Sequence, residues 1–221
     1  MAPGLIIFDC DGVLIDSEVL SCHCLSQLLK AHGADLSAED VMRLFLGQSR
    51  TAMLDYFAQR GKVLPSDFST TLQARIRESF TSELKAIEGV FDVLDHLETP
   101  YCVASSSDVA RLRLSLELTG LSPYFTDKWF SSEFVKAGKP APDLFLHAAA
   151  TLGVPAGRVL VIEDSLTGIL AAKAAGMMVW GFVGGSHHRI LPNAPALRAA
   201  GADRIVQSMP ELGEAIRGLA V

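Results

Sequence analysis

The feature that most constrains this chain is its opening run, Leu5-Ile6-Ile7-Phe8, which leads directly into Asp9-Cys10-Asp11-Gly12. Four consecutive apolar residues suit a strand buried on both faces, the habit of a parallel sheet. Two carboxylates spaced i, i+2 at the end of such a strand need a partner or a cation, because an unpaired charge is costly away from water. In open α/β sheets, ligands gather at the carboxyl ends of the strands. Asp9 and Asp11 are therefore the first candidates for chemistry.

The pattern then changes character twice. From about residue 16 to 84 the spacing is helical, with no strand-like run. Helices are expected over 17–30, from Ser37 onward with the early acids Glu39 and Asp40, over 50–59 and over 70–84. Beyond Gly89, strands (101–104, 129–130, 159–162, 178–182, 204–206) alternate with helices (90–97, 108–118, 142–152, 166–175, 210–219). Such alternation means βαβ units around a parallel sheet. The expected architecture is a doubly wound α/β core made of residues 1–15 and 88–221, with a small helical cap, 16–87, inserted after the first strand.

Composition narrows the function. Of 221 residues 49% are hydrophobic, enough to build a sizeable core and to make disorder unexpected. A net charge of -6 without a Lys/Arg-rich block argues against a nucleic-acid or anionic-membrane partner. The apolar run near the N-terminus is too short for a signal peptide or a membrane span. The four cysteines form no framework: Cys22 and Cys24 face different sides of a helix, Cys102 lies in an apolar strand, and Cys10, on a strand, would point away from Asp9 and Asp11. Free thiols suit a reducing compartment, so the cytoplasm is expected; a monomer is the default expectation.

Three later strands also end in chemistry. Tyr101-Cys102-Val103-Ala104 runs into Ser105-Ser106-Ser107-Asp108, hydroxyls placed where a helix N-terminus favours an anion. One serine suffices for a helix cap, which leaves the others for phosphate binding. Lys139-Pro140 precedes another helix, and Val159-Leu160-Val161-Ile162 ends in Glu163-Asp164-Ser165. Four carboxylates at the ends of two buried strands would repel one another without a cation, and hard oxygen donors of this kind suit Mg²⁺. His187 and His188, after Gly184-Gly185-Ser186, read as solvated loop side chains, with an approach to the site as the alternative; His23, His32, His96 and His147 read as structural.

The order Asp-x-Asp-Gly, strand-Ser, Lys-Pro, strand-Glu-Asp resembles the haloacid dehalogenase superfamily, in its phosphatase branch with a helical cap. The run Glu163-Asp164-Ser165-Leu166-Thr167-Gly168-Ile169 through Gly176-Met177 carries the resemblance most specifically. Ser17-Glu18-Val19, Ala86-Ile87-Glu88-Gly89 and Phe145-Leu146-His147-Ala148-Ala149 are similar to bacterial sugar-phosphate phosphatases, including the 6-phosphogluconate type, and β-phosphoglucomutase-like proteins share the core motifs.

The resemblance implies that Asp9 is a nucleophile forming an aspartyl-phosphate and Asp11 the general acid and base. It implies that Ser105, Ser106 and Lys139 hold the phosphoryl group of a small phosphate monoester. Asp9, Asp11 and Asp164 would ligate Mg²⁺, and Glu163 would contact a metal-bound water or position Lys139. The cap would close over the substrate, with Arg50 in Gly47-Gln48-Ser49-Arg50, and Ser17, as candidates for substrate choice. Phosphomutases of this group carry a gating histidine twelve residues beyond the nucleophile; here that position is Ser21, which favours hydrolysis. Dehalogenases proper lack the second aspartate, and a non-catalytic phospho-ligand binder would have lost a motif residue that is present here.

Overall fold

The computed structural model describes residues 2–48 and 50–219. Tertiary contacts divide the chain into two compact units, Met1–Asp16 with Lys85–Val221, and Ser17–Leu84.

The Ser17–Leu84 unit consists of α1 (Glu18–Ala31), α2 (Ala38–Phe45), α3 (Arg50–Ala58) and α4 (Phe68–Glu83). Ser37 starts α2 with a capping box: its hydroxyl accepts from the Asp40 N–H at 3.1 Å, while Asp40 accepts from the Ser37 N–H at 3.0 Å. Helix α1 packs on α2 and α4 through a core that includes Leu28, Leu29, Val41, Met42, Phe68 and Phe80.

The other unit is built on a six-stranded sheet in the order β3-β2-β1-β4-β5-β6, parallel throughout. Its strands are β1 (Leu5–Phe8), β2 (Tyr101–Ser105), β3 (Trp129–Ser131), β4 (Val159–Glu163), β5 (Met178–Phe182) and β6 (Arg204–Val206). The helices between them are α5 (Val90–Asp95), α6 (Val109–Leu118), α7 (Asp143–Thr151), α8 (Leu166–Ala174), α9 (His187–Ile190) and α10 (Ala194–Ala199), and α11 (Met209–Arg217) follows β6. Leu5, Ile7, Cys102, Ala104, Val159, Val161 and Val179 share one buried cluster with Leu144 and Phe145 of α7 and Ile169 and Ala172 of α8. The intervening Ile6, Phe8, Val103, Leu160 and Ile162 are also buried. Both faces of the central strands are therefore covered, which is why they read as unbroken apolar runs.

Two features differ from the sequence reading. The strand ends at Phe8, and the carbonyl of Cys10 accepts from the N–H groups of Leu14 and Ile15 at 2.9 and 3.1 Å. Cys10 is buried by this turn, not by strand alternation. Residues 187–190 are helical where a loop is expected, and so are 194–199, to which the sequence pattern assigns no element. Gly184-Gly185, Pro192 and Pro195 punctuate the stretch, and helices of four and six residues are too short to show a period.

Candidate active site

Strand register assembles the site. Phe8 pairs with Ile162 of β4, and the Asp9 N–H continues the ladder by donating to the Ile162 carbonyl at 2.9 Å. Asp9 is thereby set beside Glu163, the last residue of β4. Phe8 also pairs with Val103 of β2, so Ala104 follows on the other side. Lys139 reaches the gap between these strands. Its Nζ lies 2.6 Å from Asp9 Oδ1, 2.6 Å from Glu163 Oε1 and 3.2 Å from the Ala104 carbonyl. All three side chains are buried, and the Lys139 ammonium also lies 4.8 Å from the Phe145 ring centroid.

Glu163 is held from its second oxygen as well. Oε2 accepts from the Ser165 N–H at 2.8 Å and from Ser165 Oγ at 2.9 Å, while that hydroxyl caps α8 by accepting from the Gly168 N–H at 3.0 Å. A Cβ at Gly168 would overlap the Glu163 carboxylate, so this helical position admits only glycine while Glu163 stays in place. Gly12 is constrained in the same way: it has a φ of +78°, and a Cβ there would overlap Asp164 Oδ2 and come within 2.9 Å of His187 Cε1.

Carboxylate oxygens of Asp9, Glu163 and Asp164 lie within 4.8 Å of one another. Burial pushes the Asp9 carboxyl well above its usual pKa; Lys139 opposes the rise, and Glu163 and Asp164 add to it. Burial and then Glu163 push Asp164 up in the same way. Burial alone would lower Lys139, but Asp9 and Glu163 outweigh it and hold the ammonium above its usual value. Burial lifts the two acids and the neighbouring carboxylates add to it, while the same carboxylates lift Lys139; with three carboxylates on one ammonium the cluster is short of positive charge. An all-oxygen donor set lacking positive charge fits a hard divalent cation.

Asp11 is held on another side. Its Oδ1 lies 2.8 Å from Arg111 Nη2, and its Oδ2 accepts from Ser107 Oγ at 2.9 Å and Ser105 Oγ at 3.4 Å. Ser105 Oγ in turn accepts from the Ser107 N–H at 3.0 Å. The loop is pinned from the β3 side, where Ser131 and Ser132 donate to the carbonyls of Ser107 and Ser106 at 2.7 and 2.8 Å. Asp108 caps α6 by accepting from the Arg111 N–H at 2.8 Å.

The structure thus brings together Asp9, Asp11, Ser105, Lys139, Glu163 and Asp164, with exposed Ser106 on the same loop as Ser105. Ser17 is fully buried just before α1 in the helical unit, and the side chain of Arg50 lies outside the described residues. Arg111 is not singled out by the sequence motifs, and His187 and His188 read as solvated with an approach to the site as the alternative; for His187 the alternative holds. Both histidines are buried, and His187 Nε2 lies 3.1 Å from Asp164 Oδ2. Arg111 had a signal: it sits in the first turn after the Asp108 cap, where long side chains lean back toward the helix N-terminus and the serine loop. His187 had none.

A family model described as haloacid dehalogenase-like hydrolase matches residues 6–182. The 6-phosphogluconate phosphatase of Escherichia coli strain K12 is 31% identical over 186 residues, which cover 83% of this chain and 84% of that protein. A conserved haloacid dehalogenase-like protein of unknown function from Agrobacterium tumefaciens strain C58 superposes with a TM-score of 0.89 at 38% identity, covering 100% of both chains. A hydrolase of the same family from Deinococcus radiodurans R1, solved with bound phosphate and sodium, superposes at 0.81 with 34% identity, covering 100% of this chain and 98% of that one. Among the described residues, no helix is long and apolar enough to cross a membrane.

Proposed function

Because the chain belongs to the haloacid dehalogenase-like hydrolase family, we propose that it hydrolyses a small phosphorylated sugar or sugar acid through a phosphoryl group carried on Asp9. The observation that carries this reading is the buried Lys139 ammonium, 2.6 Å from both Asp9 and Glu163 beside Asp164. The contact orients the Asp9 carboxylate and opposes the rise in pKa that burial imposes, which favours the anionic form a nucleophile needs. The likeness to a 6-phosphogluconate phosphatase supports the sugar-acid class.

An Asp9 carboxylate oxygen attacks phosphorus, the phosphorus–oxygen bond to the sugar breaks, and Asp11 gives the departing alkoxide its proton. A water then attacks phosphorus, losing its proton to Asp11; inorganic phosphate leaves and Asp9 is restored. Ser105 and Lys139 hold phosphoryl oxygens, with the Ser106 N–H assisting, and Glu163 keeps Lys139 in place. Asp9, Asp164 and the Asp11 main chain would hold Mg²⁺, which when bound supplies charge neutralisation for the transferring group.

The test is a phosphate-release screen with Mg²⁺ over sugar phosphates, sugar-acid phosphates, nucleotide monophosphates and aromatic phosphates. Preference for the sugar and sugar-acid esters is expected. Preference for aromatic or nucleotide esters would overturn the substrate class, and an isomerised sugar phosphate in place of inorganic phosphate would overturn hydrolysis.

A further inference from the structure

Among the described residues, His187 is a buried polar group that the mechanism above leaves idle although it lies against a site carboxylate. Its ring is 1% exposed and its Nε2 lies 3.1 Å from Asp164 Oδ2. The imidazole sits in a slot that two glycines make. A Cβ on Gly12 would come within 2.9 Å of His187 Cε1, and a Cβ on Gly185 within 2.8 Å of the same atom. The turn that delivers it is tied down: Ser186 donates to Asp16 Oδ1 from its N–H at 3.0 Å and from its hydroxyl at 2.8 Å. The His188 ring lies against the His187 ring at a centroid distance of 4.0 Å, tilted by 41°. Such elaborate fixation of one ring against one carboxylate oxygen exceeds what filling space requires.

We propose that His187 is a positioning residue for the cation site: its Nε2–H holds Oδ2 of Asp164 and fixes the carboxylate with its other oxygen available to Mg²⁺. This deepens the reading above, and rests on its assignment of Asp164 as a metal ligand. Hydrogen-bonded partners behind ligating groups commonly contribute ten- to a hundredfold in metal affinity. In a buried pair the effect belongs at the upper end, because no water can take the place of the lost donor.

The test is calorimetric titration of the full-length protein with Mg²⁺, alongside kcat at saturating Mg²⁺. In His187→Phe, which keeps the ring and removes the donor, Mg²⁺ binding is expected to weaken roughly ten- to a hundredfold, with kcat at saturation within a few-fold of wild type. His187→Gln, whose amide nitrogen reaches the place of Nε2, is expected to recover most of the affinity. If the phenylalanine variant does not fold, His187→Ala carries the same comparison. Wild-type affinity in the donor-less variant would overturn the inference, as would equal losses in the glutamine and phenylalanine variants. Loss of Mn²⁺ or Zn²⁺ binding with Mg²⁺ binding intact would also overturn it, by making the imidazole a direct ligand. No Mg²⁺ binding by the wild-type protein would instead overturn the metal assignment on which the inference rests.

Discussion

Gly168→Ala is a small change with a large expected effect. Alanine is favoured over glycine inside a helix by about 1 kcal/mol, and Gly168 lies within α8. The added methyl, however, would overlap the Glu163 carboxylate. Glu163 must then leave its place, giving up Lys139 Nζ at 2.6 Å, the Ser165 N–H at 2.8 Å and Ser165 Oγ at 2.9 Å. Breaking a buried ion pair costs roughly 3–5 kcal/mol, so the net destabilisation is roughly 2–4 kcal/mol after the helix gain. For a chain of this size each kcal/mol lowers Tm by about 2–4 °C, which gives a fall of roughly 4–16 °C. Thermal and urea unfolding of Gly168→Ala, Glu163→Ala and the double variant measure it. With residue 163 truncated, the methyl at 168 meets no carboxylate, so the double variant should be no less stable than Glu163→Ala alone. Wild-type stability in Gly168→Ala, or losses that simply add, would refute the packing argument.

Two further outcomes follow from the charge distribution. Asp164→Asn removes one of three carboxylates crowded on one ammonium. Because the folded state holds protons on Asp9 and Asp164 above their ordinary pKa, the metal-free protein loses stability as pH rises above about 4. The variant should therefore be more stable than wild type at pH 8 without metal, and should lose the rise in Tm that Mg²⁺ gives; a lower metal-free Tm would contradict this. His188 behaves in the opposite sense. Burial, then the neighbouring His187, lower its pKa to about 3, so the unfolded chain takes up the proton first as pH falls from about 6.5 toward 3. Wild type should lose more stability across that window than His188→Phe in parallel unfolding curves, and equal slopes would contradict the burial argument.

The parts legible in the sequence are those in which one local rule acts alone. Leu5-Ile6-Ile7-Phe8 and Val159-Leu160-Val161-Ile162 are buried on both faces, so nothing polar interrupts them, and both are strands. Ser37 is readable as a helix start because its capping box is complete within four residues. What escaped depends on contacts distant in sequence. Lys139 by itself is a lone loop lysine, marked for the site only by the resemblance; its contacts come from the register of β1 on β4, which sets Asp9 and Glu163 on either side of it. Cys10 has the expected burial for a different reason, since the strand ends two residues earlier and a turn takes over. His187 follows a glycine pair, which ordinarily marks an open loop; here Gly12 and Gly185 make room for the ring instead. Gly168 likewise looks like a weak point in a helix until Glu163 is seen beneath it.

Asp9 is proposed to carry the phosphoryl group. Rapid mixing with a sugar-acid phosphate and Mg²⁺, followed by borohydride quench and peptide mass spectrometry, tests it directly, because hydride reduces an acyl phosphate to the alcohol. Homoserine is expected at position 9, formed only with substrate and absent from Asp9→Asn, which should fold normally and release no phosphate. An unmodified Asp9 under turnover, or an Asp9→Asn protein that retains most of the activity, would contradict it.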